Sequence, residues 1–258
     1  MTESAWEWDE NTQQYYLSLF SKAQPDLNWE NVYMRAAIHD MLRFWLEKGI
    51  AGFRMDVINL VSKSQDFPNA KVVYPEFPYQ PAEKFFANGP RLHEFLHEMR
   101  AEVLDKYDTI TVGEIPYVND EDEIIRTVQF QSGGLNMIFI FDFLNIDMPP
   151  GQSKWAVRKW DARDVKRVHD KLQRMMIEQG DWNTIFIENH DTSRSLSRYT
   201  NDSDEWRDIC AKLLAMKALT LGGTSYIYQG EELGMRNVPE EWGPEEYKDV
   251  ESQGYWKM

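Results

Sequence analysis

The fold of this chain is decided by the stretch AGFRMDVIN at residues 51–59, which follows an amphipathic helix and a Lys48-Gly49 break. Its apolar residues predict a buried strand. Arg54 and Asp56 stand two residues apart, and because a strand repeats every two residues, their side chains should leave on the same face. Charges in an apolar strand are costly unless they pair or do chemistry, so the stretch indicates either a structural ion pair or an active site.

Strand and helix patterns alternate along the rest of the chain. We predict helices at 32–48, 90–106, 119–130, 161–178 and 204–220, and strands at 51–59, 109–114, 136–143, 182–187 and 224–228. This order is typical of parallel strands joined by right-handed crossovers. The predicted fold class is therefore α/β, and barrels of this class place their active sites at the carboxyl ends of the strands.

Three of the predicted strands end in, or run into, an acid: Asp56, Glu114 and Asp191. Since parallel strands end at one rim, we expect these acids to meet there, beside Arg54 and His190. Glycoside hydrolysis needs such a set, with one carboxylate that attacks or activates water and one acid that protonates the leaving oxygen. Binding of Mg²⁺ is the main alternative, but such sites usually serve phosphates, and the chain has no glycine-rich phosphate loop.

The composition narrows the possible partners. The 258 residues carry a net charge of −15, which argues against nucleic acid or an anionic membrane surface and agrees with a neutral, polyhydroxylated ligand. The single cysteine, Cys210, excludes an intramolecular disulfide. The first residues lack a secretory apolar region and no run of 18 apolar residues occurs, so we expect a cytoplasmic protein with no membrane partner.

Separated motifs resemble those of the α-amylase superfamily (glycoside hydrolase family 13). QPDLN at 24–28 is similar to the signature of its oligo-1,6-glucosidase/α-glucosidase (maltase/isomaltase) branch. GFRMDV at 52–57 resembles the nucleophile motif, VGE at 112–114 the acid/base motif, and NHD at 189–191 the motif of the third acid. YIYQGEE at 226–232 resembles the last barrel strand. Each motif is short, but their joint order and spacing cover nearly the whole chain.

The resemblance implies a role for each residue. Asp56 is expected to be the nucleophile that forms a covalent glucosyl intermediate, and Glu114 the acid/base. Asp191, with His190, is expected to grip sugar hydroxyls and stabilise the transition state, while Arg54 orients Asp56. These roles describe a retaining α-glucosidase that cleaves terminal α-1,6 and/or α-1,4 bonds of short oligosaccharides. The resemblance implies no cofactor and no metal.

Val57 bears on the substrate. Val directly after the nucleophile resembles members of the branch that accept α-1,6 linkages, whereas Ala or Thr there is similar to maltose-preferring members; ordinary strand packing explains Val57 as well. Two alternatives stay open: a sucrose isomerase-type transglycosidase, in which a sugar replaces water as acceptor, and a non-catalytic ancillary relative. The presence of all three acids favours catalysis.

The resemblance covers only part of the family's barrel. The predicted strands correspond to about the fourth to the eighth, so we expect a partial TIM (β/α)8 barrel at 31–240, the end of an inserted subdomain at 1–30, and an extension at 241–258. The family motif of the third strand has no match upstream of Gln24. We therefore expect a fragment that has weak or no activity alone.

Overall fold

The structure is a computed structural model that describes residues 4–118, 120–149 and 156–256. It divides into two compact units, Met1–Thr184 and Ile185–Met258. Helices and strands alternate along most of the chain, and the three-stranded sheet of the first unit is parallel, so the predicted α/β class is confirmed. Within the described residues, no helix combines the length and the apolar character that a membrane span requires.

The first unit contains a β-hairpin and a three-stranded sheet with its helices. Its strands are β1 (Trp6–Asp9), β2 (Gln14–Leu17), β3 (Gly52–Met55), β4 (Ile110–Glu114) and β5 (Met137–Phe139). Its α-helices are α1 (Val32–Glu47), α2 (Glu83–Phe86), α3 (Leu92–Glu102), α4 (Glu121–Val128) and α5 (Ala162–Gln179). Short 3-10 turns follow β3 at Ile58–Val61 and α3 at Leu104–Lys106.

The sheet of this unit has the parallel order β3-β4-β5. Met55 faces Gly113 in the register of the first pair, so the residues that follow β3 lie beside the end of β4. One apolar core joins the strands to α1, α3, α4 and α5 through buried side chains such as Leu46, Leu96 and Ile124. Burial of these apolar side chains holds the strand ends in place.

Helix α1 shows how the chain leads into β3. The side-chain oxygen of Asn31 accepts the backbone N–H groups of Tyr33 at 2.9 Å and Met34 at 3.3 Å, which caps the first turn. At the other end, Gly49 has a φ of 94°, a left-handed conformation that suits glycine. The predicted helix at 32–48 and its stop at Gly49 are thereby confirmed.

The predicted strands at 51–59 and 136–143 are wrong in length. Strand β3 ends at Met55, because the chain turns there into the 3-10 turn Ile58–Val61. Strand β5 ends at Phe139, and Asp142 lies in a turn where it accepts a hydrogen bond from Lys171 at 3.0 Å. Both strands are therefore short. The side chains of the residues after them need not alternate between the two faces of the sheet.

The other edge of β5 is satisfied by side chains. The Oδ1 atom of Asn183 accepts the backbone N–H of Ile138 at 2.8 Å, and Oγ1 of Thr184 donates to the Ile138 carbonyl at 2.8 Å. These bonds use the backbone groups through which a further strand would pair. The five predicted strands therefore do not form one continuous sheet in the described residues, and the barrel is not closed there.

The second unit is smaller and mostly helical. The division between the units falls within strand β6 (Thr184–Ile185), which shares a two-stranded sheet with β7 (Thr224–Ser225). Next to them, the backbone N–H of Tyr226 donates to the Ile185 carbonyl at 2.8 Å. The helices are α6 (Ser195–Tyr199), α7 (Arg207–Leu219) and α8 (Val250–Trp256), with 3-10 turns at Glu231–Leu233 and Pro244–Glu246.

Gly52 allows β3 to approach β4 closely. A Cβ atom on Gly52 would lie 1.8 Å from the carbonyl oxygen of Ile110. We expect Gly52→Ala to lower the free energy of unfolding by about 3 kcal/mol or more, because the clash is with strand backbone. Gly49→Ala is the control: a Cβ atom there would meet no non-neighbouring group within 4 Å, so only backbone strain of about 1–2 kcal/mol remains. Urea unfolding followed by circular dichroism measures both, and equal losses would contradict the argument.

Candidate active site

Arg54 lies in β3, and Asp56 directly follows that strand. The Nη1 atom of Arg54 donates a hydrogen bond to Oδ1 of Asp56, whose side chain is 69% exposed. The structure thus pairs the two charges that the sequence placed two residues apart. Asp56 stands in the turn after the strand rather than inside it, so its carboxylate can be reached by solvent.

Glu114 is the last residue of β4, the strand beside β3. The Nη2 atom of Arg54 donates to Oε2 of Glu114 at 2.5 Å, and the Glu114 side chain is only 11% exposed. One guanidinium group therefore holds two carboxylates, from Asp56 and Glu114, at the ends of two neighbouring strands. One of them faces solvent and the other is buried.

The two carboxylates stabilise the positive charge of Arg54. Burial lowers the pKa of Arg54, but the hydrogen bond that it donates to Asp56 and the negative charge of Glu114 raise that pKa, and the balance lies above the ordinary value. Arg54 therefore stays cationic. Two carboxyl groups that share a permanent cation but differ in exposure can take different roles in a reaction.

Val57 has a backbone conformation that the sequence pattern did not predict. The prediction placed it in a strand, which is wrong: it follows β3 with φ 35° and ψ 44°, in the left-handed region. A β-branched residue rarely adopts this region, so the conformation is strained. The bend at Val57 turns the chain into the 3-10 turn Ile58–Val61 immediately after Asp56.

Asn59 is a residue that the sequence analysis missed. It is fully buried, and its Nδ2 atom donates to the carbonyl of Pro116 at 2.6 Å and to Oδ1 of Asn88 at 2.9 Å. These bonds tie the segment after Asp56 to the segment after Glu114. The available signal was an amide within the apolar run INLV at 58–61, since a buried amide needs hydrogen-bond partners.

His190 and Asp191 belong to the second unit, in the turn that follows β6. The Nε2 atom of His190 lies 3.2 Å from Oδ2 of Asp191, and both side chains are about half exposed. The structure therefore brings this predicted pair together. Of the other predicted site residues, Arg54, Asp56 and Glu114 meet within the first unit, each through the contacts given above.

Two further groups of the second unit can change charge near neutral pH. Burial raises the pKa of Glu231 to about 7, although its carboxylate accepts the backbone N–H of Tyr228 at 3.1 Å. Burial lowers the pKa of Lys217 to about 7, against the attraction of Glu231. The sequence pattern places Glu231 beside Glu232 on a solvated rim, because burial cannot be read from a glutamate in a predicted loop.

A groove of about 700 Å³ lies between α4 and α5 of the first unit. It is lined by Glu121, Asp122, Ile125, Arg163, Lys166, Arg167, Asp170, Lys171, Arg174, Met175 and Glu178. These side chains include no predicted site residue and no aromatic ring, so we do not assign a sugar site there. The residues that the structure describes also contain no cluster of three or more His, Cys, Asp or Glu side chains that could hold a metal ion.

Comparison with known proteins gives consistent matches over the chain. A family model described as "Alpha amylase, catalytic domain" matches residues 1–254. The alpha-glucosidase of Schizosaccharomyces pombe is 46% identical over 255 residues, which are 99% of this chain and 44% of that protein. The oligo-1,6-glucosidase of Parageobacillus thermoglucosidasius is 45% identical over 254 residues, which are 98% of this chain and again 44% of that protein.

A solved structure extends the match to three dimensions. The crystal structure of an isomaltulose synthase mutant from Erwinia rhapontici NX5, in complex with its natural substrate sucrose, superposes with a TM-score of 0.89 at 38% sequence identity. The match covers 99% of this chain and 44% of that one. The chain therefore spans less than half the length of the proteins that it resembles.

Proposed function

The chain belongs to the alpha-amylase family, and from that premise we propose that it contains the acid pair of a retaining α-glucosidase. The observation that supports this most directly is the Arg54 guanidinium shared by Asp56 and Glu114 at the ends of adjacent parallel strands. Retaining hydrolysis uses two carboxyl groups close together. The chain covers about 44% of the relatives' length, so the proposal is based on its own residues rather than on the activities of the relatives.

The proposed reaction has two steps. First, the Asp56 carboxylate attacks the anomeric carbon of a terminal glucose, the bond from that carbon to the leaving oxygen breaks, and Glu114 gives its proton to that oxygen. Second, Glu114 takes a proton from water, and the water oxygen attacks the same carbon and releases the Asp56 carboxylate. Two inversions at one carbon retain the α configuration. Arg54 orients Asp56 in both steps.

We assign His190 and Asp191 to the sugar hydroxyls and to the charge that develops in the transition state. The support is the family resemblance of the NHD motif at 189–191 and the contact between the two side chains. The ligand would be a small oligosaccharide, in agreement with the net charge of −15, which disfavours anionic partners. No cofactor takes part in this reaction.

For the fold, we propose that the strands belong to a (β/α)8 barrel, as about its fourth to eighth strands, within residues 31–240. Residues 1–30 would then end an inserted subdomain, and 241–258 would extend beyond the last barrel strand. The parallel order β3-β4-β5 and the superposition on part of a longer relative support this assignment.

Val57 offers a test of linkage preference. We expect Val57→Thr to lower the ratio of kcat/KM for isomaltose over maltose by about tenfold, an effect in the range of 1–3 kcal/mol for one group in a substrate pocket. Thr is also β-branched, so the left-handed strain at this site stays the same and only the polarity beside Asp56 changes. Steady-state kinetics on both disaccharides measures the ratio, and an unchanged ratio would argue for a packing role only.

A second candidate function is transglycosylation of sucrose, in which a sugar hydroxyl replaces water in the second step. The similarity to the isomaltulose synthase structure with sucrose favours keeping it. Chromatography of the products formed from sucrose separates the two functions, because hydrolysis gives glucose and fructose whereas isomerisation gives a new disaccharide. A non-catalytic ancillary role is disfavoured by the presence of Asp56, Glu114 and Asp191.

Trapping with 5-fluoro-α-glucosyl fluoride tests whether Asp56 is the nucleophile. The protein used is the one expressed from the complete gene. The fluorine at C5 slows the second step, so the glucosyl ester should accumulate and be found on Asp56 by peptide mass spectrometry. The control variant Asp142→Asn, which changes an acid in the turn after β5, should still be labelled on Asp56. The variant Asp56→Asn should not be labelled. A glucosyl adduct on another carboxyl group would refute the assignment.

A further inference from the structure

We propose that Arg194 is a positioning residue that holds His190 and Asp191 in place, a role that rests on the proposed function of that pair. Both side chains are about half exposed, so their direction depends on how the backbone of their turn is held. Arg194 is not among the residues to which the family resemblance assigns a role. In the structure it lies three residues after Asp191 and directs its guanidinium into the unit.

The turn itself is shaped by short-range hydrogen bonds. The backbone N–H of Asn189 donates to Oγ1 of Thr192 at 3.1 Å, and the N–H of Asp191 donates to Oδ1 of Asn189 at 3.0 Å. Such bonds close the turn on itself, as Asx motifs do. These bonds set the local shape of the turn. Hydrogen bonds to residues outside the turn are needed to attach it to the rest of the second unit.

Glu188 joins the two ends of the turn. Its side chain is 2% exposed, its Oε2 atom accepts the backbone N–H of Ser195 at 2.5 Å, and its Oε1 atom accepts Nη1 of Arg194 at 2.8 Å. Glu188 precedes the turn and Ser195 follows it. A carboxylate this deeply buried needs a cation beside it, and Arg194 supplies that charge.

Arg194 then attaches the turn to the segment after β7. Nη1 also donates to the carbonyl of Gln229 at 2.7 Å, Nη2 lies 2.9 Å from Sδ of Met235, and the guanidinium lies 4.8 Å from the ring centre of Tyr228. The backbone N–H of Arg194 donates to Oδ1 of Asn237 at 2.7 Å. All of these contacts lie within the second unit, so Arg194 bridges two of its loops.

These contacts require the planar fork of arginine. A guanidinium can donate to Glu188 and Gln229 while its face lies on Tyr228, whereas an ammonium group is a point charge that cannot repeat this geometry. Arg194→Lys therefore keeps the charge beside Glu188 and loses the bridge. We expect the turn with His190 and Asp191 to shift in this variant while the unit stays folded.

Nuclear magnetic resonance of histidine-labelled protein reads the turn directly. The chain has five histidines, and His190→Gln identifies the signal of His190. In Arg194→Lys this signal should move, and those of His39, His93, His97 and His169 should not. The control is Arg236→Lys, which changes an arginine of the same unit that pairs with the exposed Asp204 at 2.9 Å, and it should leave His190 unchanged.

Kinetics reads the consequence for the reaction. We expect Arg194→Lys to lower kcat/KM for p-nitrophenyl-α-glucoside by about 10- to 100-fold, because a displacement on the order of 1 Å at a gripping group has an effect of this size. In Arg194→Lys, KM and the inhibition constant for glucose should both rise. Loss of stability alone would lower the thermal midpoint and leave both constants unchanged below it.

The outcomes separate the two proposals. An unmoved His190 signal in Arg194→Lys overturns the positioning role, and so does a moved signal with an unchanged kcat/KM. Wild-type protein expressed from the complete gene that cleaves no α-glucoside overturns the proposed function, and the positioning role in catalysis with it, whereas the resonance result still reports whether Arg194 holds the turn. If Arg194→Lys does not fold, Glu188→Gln, which keeps one acceptor oxygen, should produce the same shift of His190.

Discussion

Asp56→Asn is expected to lower kcat/KM for α-glucosides by about 10⁴-fold or more, because an amide cannot form the glucosyl ester and loss of a nucleophile has effects of this order. The Asp56 side chain is 69% exposed, so the free energy of unfolding should change by less than about 1 kcal/mol. Steady-state kinetics and urea unfolding measure the two quantities separately. The matched control is Asp142→Asn, which should keep most of the activity.

A second variant at position 56 tests whether Asp56 acts as the nucleophile, rather than only whether its removal lowers activity. In Asp56→Gly with added azide, the azide should take the place of the carboxylate and attack p-nitrophenyl-α-glucoside once. A single inversion would give β-glucosyl azide, which nuclear magnetic resonance distinguishes from the α form. Formation of the α form instead would mean that Asp56 is not the nucleophile.

Glu114→Gln is expected to lower kcat/KM for isomaltose by about 10²- to 10⁴-fold, the usual range for loss of a general acid. The loss on p-nitrophenyl-α-glucoside should be much smaller, because nitrophenolate leaves without a proton. Glutamine fills the same volume and can still accept the hydrogen bond of Arg54, so the buried site should keep its packing. Kinetics on both substrates gives the ratio of the two losses.

Azide also tests the second step of the reaction. In Glu114→Ala, azide needs no general base and should attack the glucosyl ester on Asp56, which gives α-glucosyl azide after two inversions. The Asp56 and Glu114 variants should therefore yield opposite anomers from one substrate. Equal losses of Glu114→Gln on both substrates, with no azide product from Glu114→Ala, would exclude Glu114 as the acid/base. Circular dichroism verifies that each variant is folded.

Part of the fold and site was predictable because the relevant signals are local. The three- and four-residue spacing of apolar side chains predicted α1, and the glycine at position 49 predicted its end. Short motifs at strand ends predicted Asp56, Glu114 and the His190–Asp191 pair as candidate residues. Strand lengths were overestimated, since apolar residues continue from β3 into the 3-10 turn Ile58–Val61 without a change of pattern.

The α/β class, the family, and the acids at or just after the strand ends followed from the amino-acid sequence, because periodicity and motifs depend on neighbours in the chain. That Arg54 holds both Asp56 and Glu114, that Val57 takes a left-handed turn, and that Arg194 bridges two loops became visible in the folded chain. These contacts depend on the register of β3 against β4 and on burial. Partners such as Arg54 and Glu114 meet through that register, which no local pattern encodes.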